Sequence, residues 1–401
     1  MDIQGIRDGE GRVVAPKRHR LAQRRKAVGL TQEQLAEVVG VDRSTVVRWE
    51  RADTEPQPWH RRRLVAALKV SPEELTVLLA DIGDAPSRPN ERLDYVLRNP
   101  TSVDLVAVAY LREKVLRLDE RYEREPSTLL LAEAGELHGQ TTFLRHHAPT
   151  GRLRRELWAA EMESATLMGQ LVWDASQRRD HAAANCYYDQ AIAAAQQTRD
   201  VVGEGNAELR KSYVALYGIG RPAAGLALAY RAALAAENDS HVIAGLALLH
   251  VGEAHAILGD LQGCDGALGR AEAHFADITS DDPAAVLFCP SQHGRLAGSC
   301  WLHLNRPDKA EVLLTRTWKI LHKRKKATAI VLGNLALASI RQRNIDAAAG
   351  RLHQAIDVVE QTRGGGGLNV IFGAARELRP WRNEPIVQDV NDRLLALMTA
   401  A

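Results

Sequence analysis

The 401-residue sequence has few of the residues that define secreted or membrane proteins. It has four cysteines, which are far apart and include no Cys-x-x-Cys pair: Cys186, Cys264, Cys289 and Cys300. With no apolar N-terminal segment, they predict reduced thiols in a cytoplasmic protein rather than a disulfide framework. No apolar run approaches a membrane-spanning length, so we expect no membrane partner.

The sequence also lacks the groupings of residues that most enzymes use. It shows no nucleophile–base arrangement, no carboxylate pair and no Gly-rich phosphate loop, so we predict no enzyme and no cofactor. His146-His147 and the pair Cys289 and His293 come without two further ligands at a standard spacing, which predicts no metal site. Strand-like alternation is missing too, and the abundance of Ala and Leu indicates an all-α chain.

The sequence does contain a basic segment near its start. Arg12 to Val70 holds fourteen Lys and Arg and six Asp and Glu, a net charge of +8. The whole chain is +2, so the remainder carries −6. A basic module on a mildly acidic body predicts contact with nucleic-acid phosphates.

Two short helices joined by a tight turn are predicted between Thr31 and Arg51. Thr31 and Gln34 have the spacing of a capping box at the start of the first helix. Gly40 permits the positive φ of a sharp turn, and Asp42 can cap the second helix. The helical period of the second helix separates an apolar face from a polar one.

The polar face of the second helix carries Arg43, Ser44, Val47 and Arg48. An Arg fork can bond guanine O6 and N7, and a Val can contact a thymine methyl group, so these residues are predicted to read bases. We also expect phosphate contacts at the helix ends, from Thr31, Gln32 and Arg51. The helix pair by itself leaves open an ordinary helical hairpin whose arginines are merely solvated.

The stretch Leu21 to Leu79 resembles the XRE family of helix-turn-helix domains, which have the five-helix lambda-repressor-like fold. The resemblance rests on these residues: Gly29-Leu30-Thr31-Gln32, Leu35-Ala36, Gly40-Val41, Ser44-Thr45, Trp49-Glu50-Arg51, Pro56, Leu64, Leu68-Lys69-Val70-Ser71 and Leu75. It implies that Gln32 bonds a backbone phosphate and that Arg25 pairs with Glu50 as a structural ion pair. Ala52 departs from the family, which often has Gly there. For four basic residues of the first helix, phosphate contact and a solvated face are equal alternatives: Lys17, Arg18, Arg20 and Arg24.

The second part of the chain repeats one pattern: a turn, a small residue, a large residue four positions on and a small one three further. The first small residues are Ala184, Gly225, Cys264, Ala310 and Ala348, which are 41, 39, 46 and 38 residues apart. Each unit is predicted to be a helical pair that buries its apolar stripe against the next pair. The array resembles tetratricopeptide repeats, with a period longer than the usual ~34 residues.

These patterns predict the following division: a flexible arm at 1–15, the helix-turn-helix domain at 16–82, a linker at 83–90 and a repeat domain at 91–401. Within the repeat domain we expect divergent helices at 91–165, repeats at about 166–362 and capping helices at 368–401. The glycine run Gly364–Gly367 is interpreted as a flexible connector in preference to an anion cradle, because it lacks the Lys-Ser/Thr of a phosphate loop.

The first helices of such an array line its concave side, where a ligand can bind. The predicted lining is polar, long or aromatic: Gln170, Trp173, Arg210, Lys211, His250, Arg295 and Asn334. A peptide or small-molecule effector and an empty solvated groove both remain open as interpretations.

The sequence therefore predicts a cytoplasmic, nucleoid-associated regulator of transcription that binds a palindromic operator as a homodimer. Its combination of domains resembles actinobacterial helix-turn-helix proteins with repeat domains. The alternative is a protein-interaction scaffold or adaptor whose basic module only adds affinity for nucleic acid.

Overall fold

The computed structural model describes residues 18–51, 53–80, 89–148, 151–321 and 325–399. Throughout these ranges the regular structure is helical, which confirms the predicted all-α fold. The chain forms two compact units, one of residues 1–107 with 147–149 and one of 108–146 with 150–401. The predicted arm, Ala52 and residues 83–88 of the predicted linker lie outside the described residues, and Pro89 already begins a helix.

The first unit begins with a five-helix module, followed by a sixth helix and the start of a seventh. Its helices are α1 (His19–Ala27), α2 (Gln32–Val39), α3 (Arg43–Glu50), α4 (Pro58–Leu68), α5 (Pro72–Ala80) and α6 (Pro89–Arg98). Leucines from α1, α2, α4 and α5 pack around Trp49 of α3. This core confirms the predicted lambda-repressor-like module.

Local sequence signals set the ends of these helices. The Thr31 hydroxyl accepts from Gln34 N at 3.1 Å, and the Thr31 N–H donates to Gln34 Oε1 at 2.8 Å, which completes the predicted capping box. Gly40 ends α2 with φ of 78°. Asp42 occupies the N-cap position just before α3 but its side chain makes no capping hydrogen bond, so the predicted side-chain cap is wrong.

The second unit contains the repeat array. The helices that follow α6 are α7 (Leu105–Tyr122), α8 (Ser127–His147), α9 (Arg152–Ala175), α10 (His181–Thr198), α11 (Val201–Tyr213), α12 (Pro222–Ala236), α13 (His241–Ile257), α14 (Leu261–Ala276), α15 (Ser291–His303), α16 (Pro307–Ile320), α17 (Lys325–Arg341), α18 (Ile345–Thr362), α19 (Gly365–Glu377) and α20 (Pro385–Thr399). A π-helical turn, Val214–Ile219, extends α11.

Five helical pairs, from α9 with α10 to α17 with α18, stack in chain order. The first helices also contact one another in sequence, from α9 through α11, α13 and α15 to α17, and so form an inner layer. All five repeat-frame residues lie on second helices and are buried. This arrangement confirms the tetratricopeptide-like solenoid, and its first helix begins at Arg152 rather than near residue 166.

The glycine run after α18 is not the flexible connector that its composition predicts. Gly365–Gly367 form the first turn of α19 and are buried. A Cβ at position 367 would lie 2.8 Å from Ala329 Cβ and 3.1 Å from Val359 Cγ2. Glycine is therefore needed here because neighbouring helices approach the backbone closely.

One carboxylate joins the beginning of the array to its end. Asp174, near the end of α9, accepts from Lys326 Nζ at 2.9 Å and from Ser127 Oγ at 2.7 Å. Its other oxygen accepts from Gly365 N at 2.8 Å. Since Lys326 and Gly365 begin α17 and α19, this buried cluster closes the inner layer on itself.

No helix in the described ranges is long and apolar enough to span a membrane.

Two alanine substitutions on α19 test the close packing of its first turn. Gly367→Ala is expected to lower the free energy of unfolding by about 1–3 kcal/mol, because the new methyl overlaps Ala329. Gly373→Ala is the control, since a Cβ there meets nothing within 4 Å. It should raise stability by about 0.5–1 kcal/mol. Urea unfolding followed by circular dichroism measures both, and equal effects would contradict the packing.

Candidate nucleic-acid interface and ligand cavity

The face of α3 that is predicted to read bases is open to solvent. Three of its residues are exposed and one is partly exposed; they are Arg43, Ser44, Arg48 and, in part, Val47. The opposite face, with Val46 and Trp49, is buried in the module core. The exposed face thus takes no part in holding the module together, and its two guanidinium groups and hydroxyl are available to a partner.

A buried ion pair positions α3 against α1 and α2. Arg25 Nε donates to Glu50 Oε1 at 2.7 Å, and the two side chains are 7% and 8% exposed. Arg25 Nη1 donates to Leu30 O at 2.8 Å. Gln32 Nε2 donates to Glu50 Oε2 at 2.7 Å, so Glu50 is bonded from both neighbouring helices. Because the Gln32 amide group has a second N–H, it can still donate to a phosphate.

The exposed arginines of α3 are only weakly held. Arg43 Nε lies 2.7 Å from Glu33 Oε1, and both side chains are at least 60% exposed. The Arg48 guanidinium makes two long contacts of 3.4 Å, to Ser44 O and Thr45 Oγ1. Such exposed contacts contribute little, so both side chains can reorient at small cost. Thr31 and Arg51 are exposed at the start of α2 and the end of α3.

Arg18 fits neither alternative predicted for the basic residues of the first helix. It is 1% exposed. Its guanidinium donates to Leu79 O at 2.5 Å and to Trp49 O at 3.0 Å, and it pairs with Glu55. These acceptors are distant in sequence, so periodicity along α1 could not reveal them.

The other three residues of that set differ among themselves. Arg24 Nε donates to Leu68 O at 2.8 Å, which ties α1 to the end of α4. Arg20 Nη1 donates to Thr101 O at 2.7 Å. Lys17 lies outside the described residues. Among the described members, therefore, each guanidinium is bonded to a carbonyl of its own unit.

The second unit encloses a cavity of about 750 Å³ along its inner layer. Six of the seven predicted lining residues border it: Gln170, Trp173, Arg210, His250, Arg295 and Asn334. Lys211 does not border the cavity, and it pairs instead with Asp189 at 2.6 Å. Because Lys211 lies outside the cavity lining, its predicted role there is wrong.

The cavity also contains residues that the repeat pattern did not indicate. Arg178 lies in the turn after α9, and Lys326 lies in the first turn of α17. Tyr217 lies in the π-helical turn that extends α11. Arg178 and Tyr217 lie outside the regular turns of the first helices, so helical periodicity gave no signal for them. Lys326 lies on α17 in helical register with Ile330 and Asn334, and the period of that helix could have indicated it. The strained backbone of Arg178, with φ of 61°, is visible only in the structure.

A hydrogen-bonded cluster occupies the middle of the cavity wall. The Glu253 carboxylate accepts from Ser299 Oγ at 2.7 Å and from the Tyr217 hydroxyl. Tyr217 Oη also lies 2.7 Å from His250 Nδ1. Burial alone would raise the pKa of Glu253, but the hydrogen bonds and the His250 ring lower it to about 2. Burial lowers the pKa of His250. Glu253 is thus an ionised group whose two oxygens both have donors.

The fold and the exposed α3 together define a helix-turn-helix module of the DNA-binding type. Residues 21–75 match the model of a helix-turn-helix family, which confirms an XRE-type domain in this part of the chain. No curated protein sequence matches the chain.

Two solved structures are similar to the chain at low identity. One is PlcR of Bacillus thuringiensis in complex with the peptide PapR7 and DNA, at 14% identity over 78% of this chain and 98% of that one, with a TM-score of 0.39. Another is the Cut9–Hcn1 hetero-tetramer of the APC/C, at 15% identity over 91% of this chain and 67% of that one, with a TM-score of 0.35.

The buried ion pair of Arg25 and Glu50 should stabilise the module more than the exposed pair of Arg43 and Glu33, which serves as the control. Arg25→Ala leaves a buried carboxylate without its main partner and should lower the free energy of unfolding of the module by about 3–5 kcal/mol. Arg43→Ala breaks the exposed pair with Glu33 and should cost less than about 1 kcal/mol. Thermal melting of both variants measures the difference. Indistinguishable melting temperatures would contradict a structural role for Arg25.

Proposed function

We propose that the chain is a sequence-specific DNA-binding regulator of transcription. The observation that carries the proposal is the exposed face of α3, with Arg43, Ser44 and Arg48 free of the core, in a helix-turn-helix module. In this geometry α3 enters the major groove, and its side chains meet base edges. A cytoplasmic, nucleoid-associated location would follow from binding to the bacterial chromosome.

The proposed division of labour follows from how firmly each side chain is held. Arg48 and Arg43 make only exposed contacts, so they can turn toward guanine edges at small cost. Gln32 is anchored to Glu50 and keeps one amide N–H, which suits a fixed phosphate contact. Thr31 and Arg51, exposed at helix ends, would add phosphate contacts that set the docking but carry no sequence information.

We further propose that the protein acts as a homodimer on a palindromic operator. A single module offers only one short recognition helix, and two copies related by a twofold axis double the contact with the duplex. Their half-sites would then lie about one helical turn, ~34 Å, apart, or a multiple of it. The repeat array would supply the dimer contact and would respond to a peptide or small-molecule effector in its cavity.

Two substitutions separate base reading from phosphate contact. Arg48→Ala should cost roughly 1–3 kcal/mol of affinity for the preferred sequence and relax the preference at one base position. Gln32→Ala should weaken binding to all sequences about equally and leave the salt dependence unchanged, because the amide carries no charge. Fluorescence anisotropy with specific and scrambled duplexes measures both. Unchanged specific binding in both variants would refute the docking of α3.

Selection from a random DNA library by the full chain at physiological salt tests the function itself. An enriched inverted repeat would support both sequence-specific binding and twofold symmetry. Binding that depends on salt but enriches no sequence would contradict the proposal. That outcome would favour the alternative of an interaction scaffold with accessory affinity for nucleic acid.

A further inference from the structure

The charges that line the cavity are not equally satisfied. Its described carboxylates have partners or are exposed. Asp174 is bonded to Lys326, Glu253 to Ser299 and Tyr217, and Glu377 to Arg341 at 2.7 Å. Asp119 and Glu123 also have partners, although Glu123 Oε2 itself accepts no hydrogen bond in the described ranges, and Glu120 is exposed.

Two arginines that line the same cavity have hydrogen-bond donors without an acceptor among the described residues. The Nε atoms of Arg178 and Arg210 are buried without a hydrogen-bond partner in the described part of the chain, and neither guanidinium has an ion-pair partner there. A buried donor left unsatisfied destabilises the fold, and more so when it is charged. The cavity therefore holds two guanidinium groups that form no ion pair within the described part of the chain.

The fold nevertheless holds both guanidinium groups in place. Arg210 Nη1 donates to Gln170 Oε1 at 2.7 Å, and its Cζ lies 5.7 Å from the centre of the Tyr213 ring. The Arg178 Cζ lies 4.6 Å from the centre of the Trp173 ring. These contacts orient the two guanidinium groups in the absence of a ligand. Such preorganisation lowers the conformational entropy that is lost when a ligand binds.

Arg178 lies in the turn that ends α9, against the first turn of α19. Its backbone adopts φ of 61°, a conformation that side chains other than glycine rarely take. A Cβ on Gly366 would overlap the Arg178 guanidinium, so the glycine run of α19 leaves room for it.

The form of the cavity favours a small ligand over an extended chain. The Asp174 cluster joins the first and last helices of the inner layer, so the groove does not run open from end to end. Its volume of about 750 Å³ lies in the usual range of small-molecule sites, about 300–1,000 Å³. Apolar side chains, among them Leu246, Leu296 and Ile330, line it beside the polar groups.

We propose that this cavity binds a small organic anion, whose carboxylate or phosphate is held by Arg178 and Arg210 and whose apolar body lies among the leucines and aromatic rings. Guanidinium forks bond both kinds of oxyanion through paired N–H groups. The proposal deepens the proposed function, because it names the chemical class of the effector, and its role as an effector rests on that function.

Three matched probes test the proposal on the full chain: 1-naphthoate, 1-naphthyl phosphate and uncharged 1-naphthol. At least one anionic probe should raise the melting temperature and bind at least tenfold tighter than 1-naphthol by calorimetry. The stronger of the two anionic arms identifies the oxyanion as carboxylate or phosphate. Equal binding of all three probes, or no binding of either anion, would overturn the proposal.

Neighbouring residues of α11 supply a matched pair of variants. Arg210→Gln should weaken the anionic probe at least tenfold, and Lys211→Gln should leave it unchanged, because Lys211 does not border the cavity. Arg178→Gln provides a second, independent loss of affinity should Arg210→Gln fail to fold. Without probe, neither glutamine variant at 178 or 210 should melt below the parent by more than the Lys211 control. Undiminished anion binding in Arg178→Gln and Arg210→Gln would refute the site.

A variant in the other unit separates this inference from the proposed function. Arg48→Ala should bind the anionic probes like the parent, whereas loss of binding in Arg48→Ala would place the anion at the basic module and overturn the proposal. Anion binding in the cavity together with DNA binding that lacks sequence preference would contradict the proposed function and leave the cavity site standing.

Discussion

The closed arrangement of the second unit depends on one buried carboxylate, which requires hydrogen-bond donors from several helices. Asp174 is buried and is bonded by Lys326, Ser127 and the backbone of Gly365. Removing a carboxylate and an ammonium group from water is costly, and their attraction offsets that cost only with good geometry and additional donors. Burial accordingly lowers the pKa of Lys326, while Asp174 opposes the shift. Because the partners of Asp174 come from both ends of the array, this one cluster selects the closed arrangement over an open spiral.

Several arginines of this chain fall into three groups, which differ in burial and in the partners of their guanidinium groups. Arg25 and Arg18 are buried with full sets of acceptors, so they hold the helix-turn-helix module together. Arg43 and Arg48 are exposed and make only weak contacts, so their guanidinium groups are available to a binding partner. Arg178 and Arg210 are oriented by the protein yet form no ion pair in the described ranges. What an arginine does here follows from its burial and its partners together, because the cost of an unpaired guanidinium rises as water is excluded.

Much of the fold was predictable because its determinants are local or periodic. The capping box of Thr31 and Gln34 and the positive φ of Gly40 are set within a few residues. The repeat frame marked the buried crossings of the second helices, where only small residues let two helices approach. The inner positions of the first helices followed from that frame, and six of seven border one cavity. Lys211 does not border the cavity and pairs instead with Asp189 on the neighbouring helix, a contact that the repeat frame did not indicate.

The sequence by itself determined the helix-turn-helix module, the stacked helical pairs and the exposed basic face of α3, because caps, turns and helical period act over short distances. Only the tertiary structure decided which charges are paired. Arg18 finds its acceptors up to 61 residues away, and Asp174 bonds Gly365 across 191. It also showed that Gly365–Gly367 are a buried helical turn, since glycine specifies backbone freedom and the neighbouring helices decide its use. The ionic character of the cavity depends on such long-range neighbours, and no local pattern encodes them.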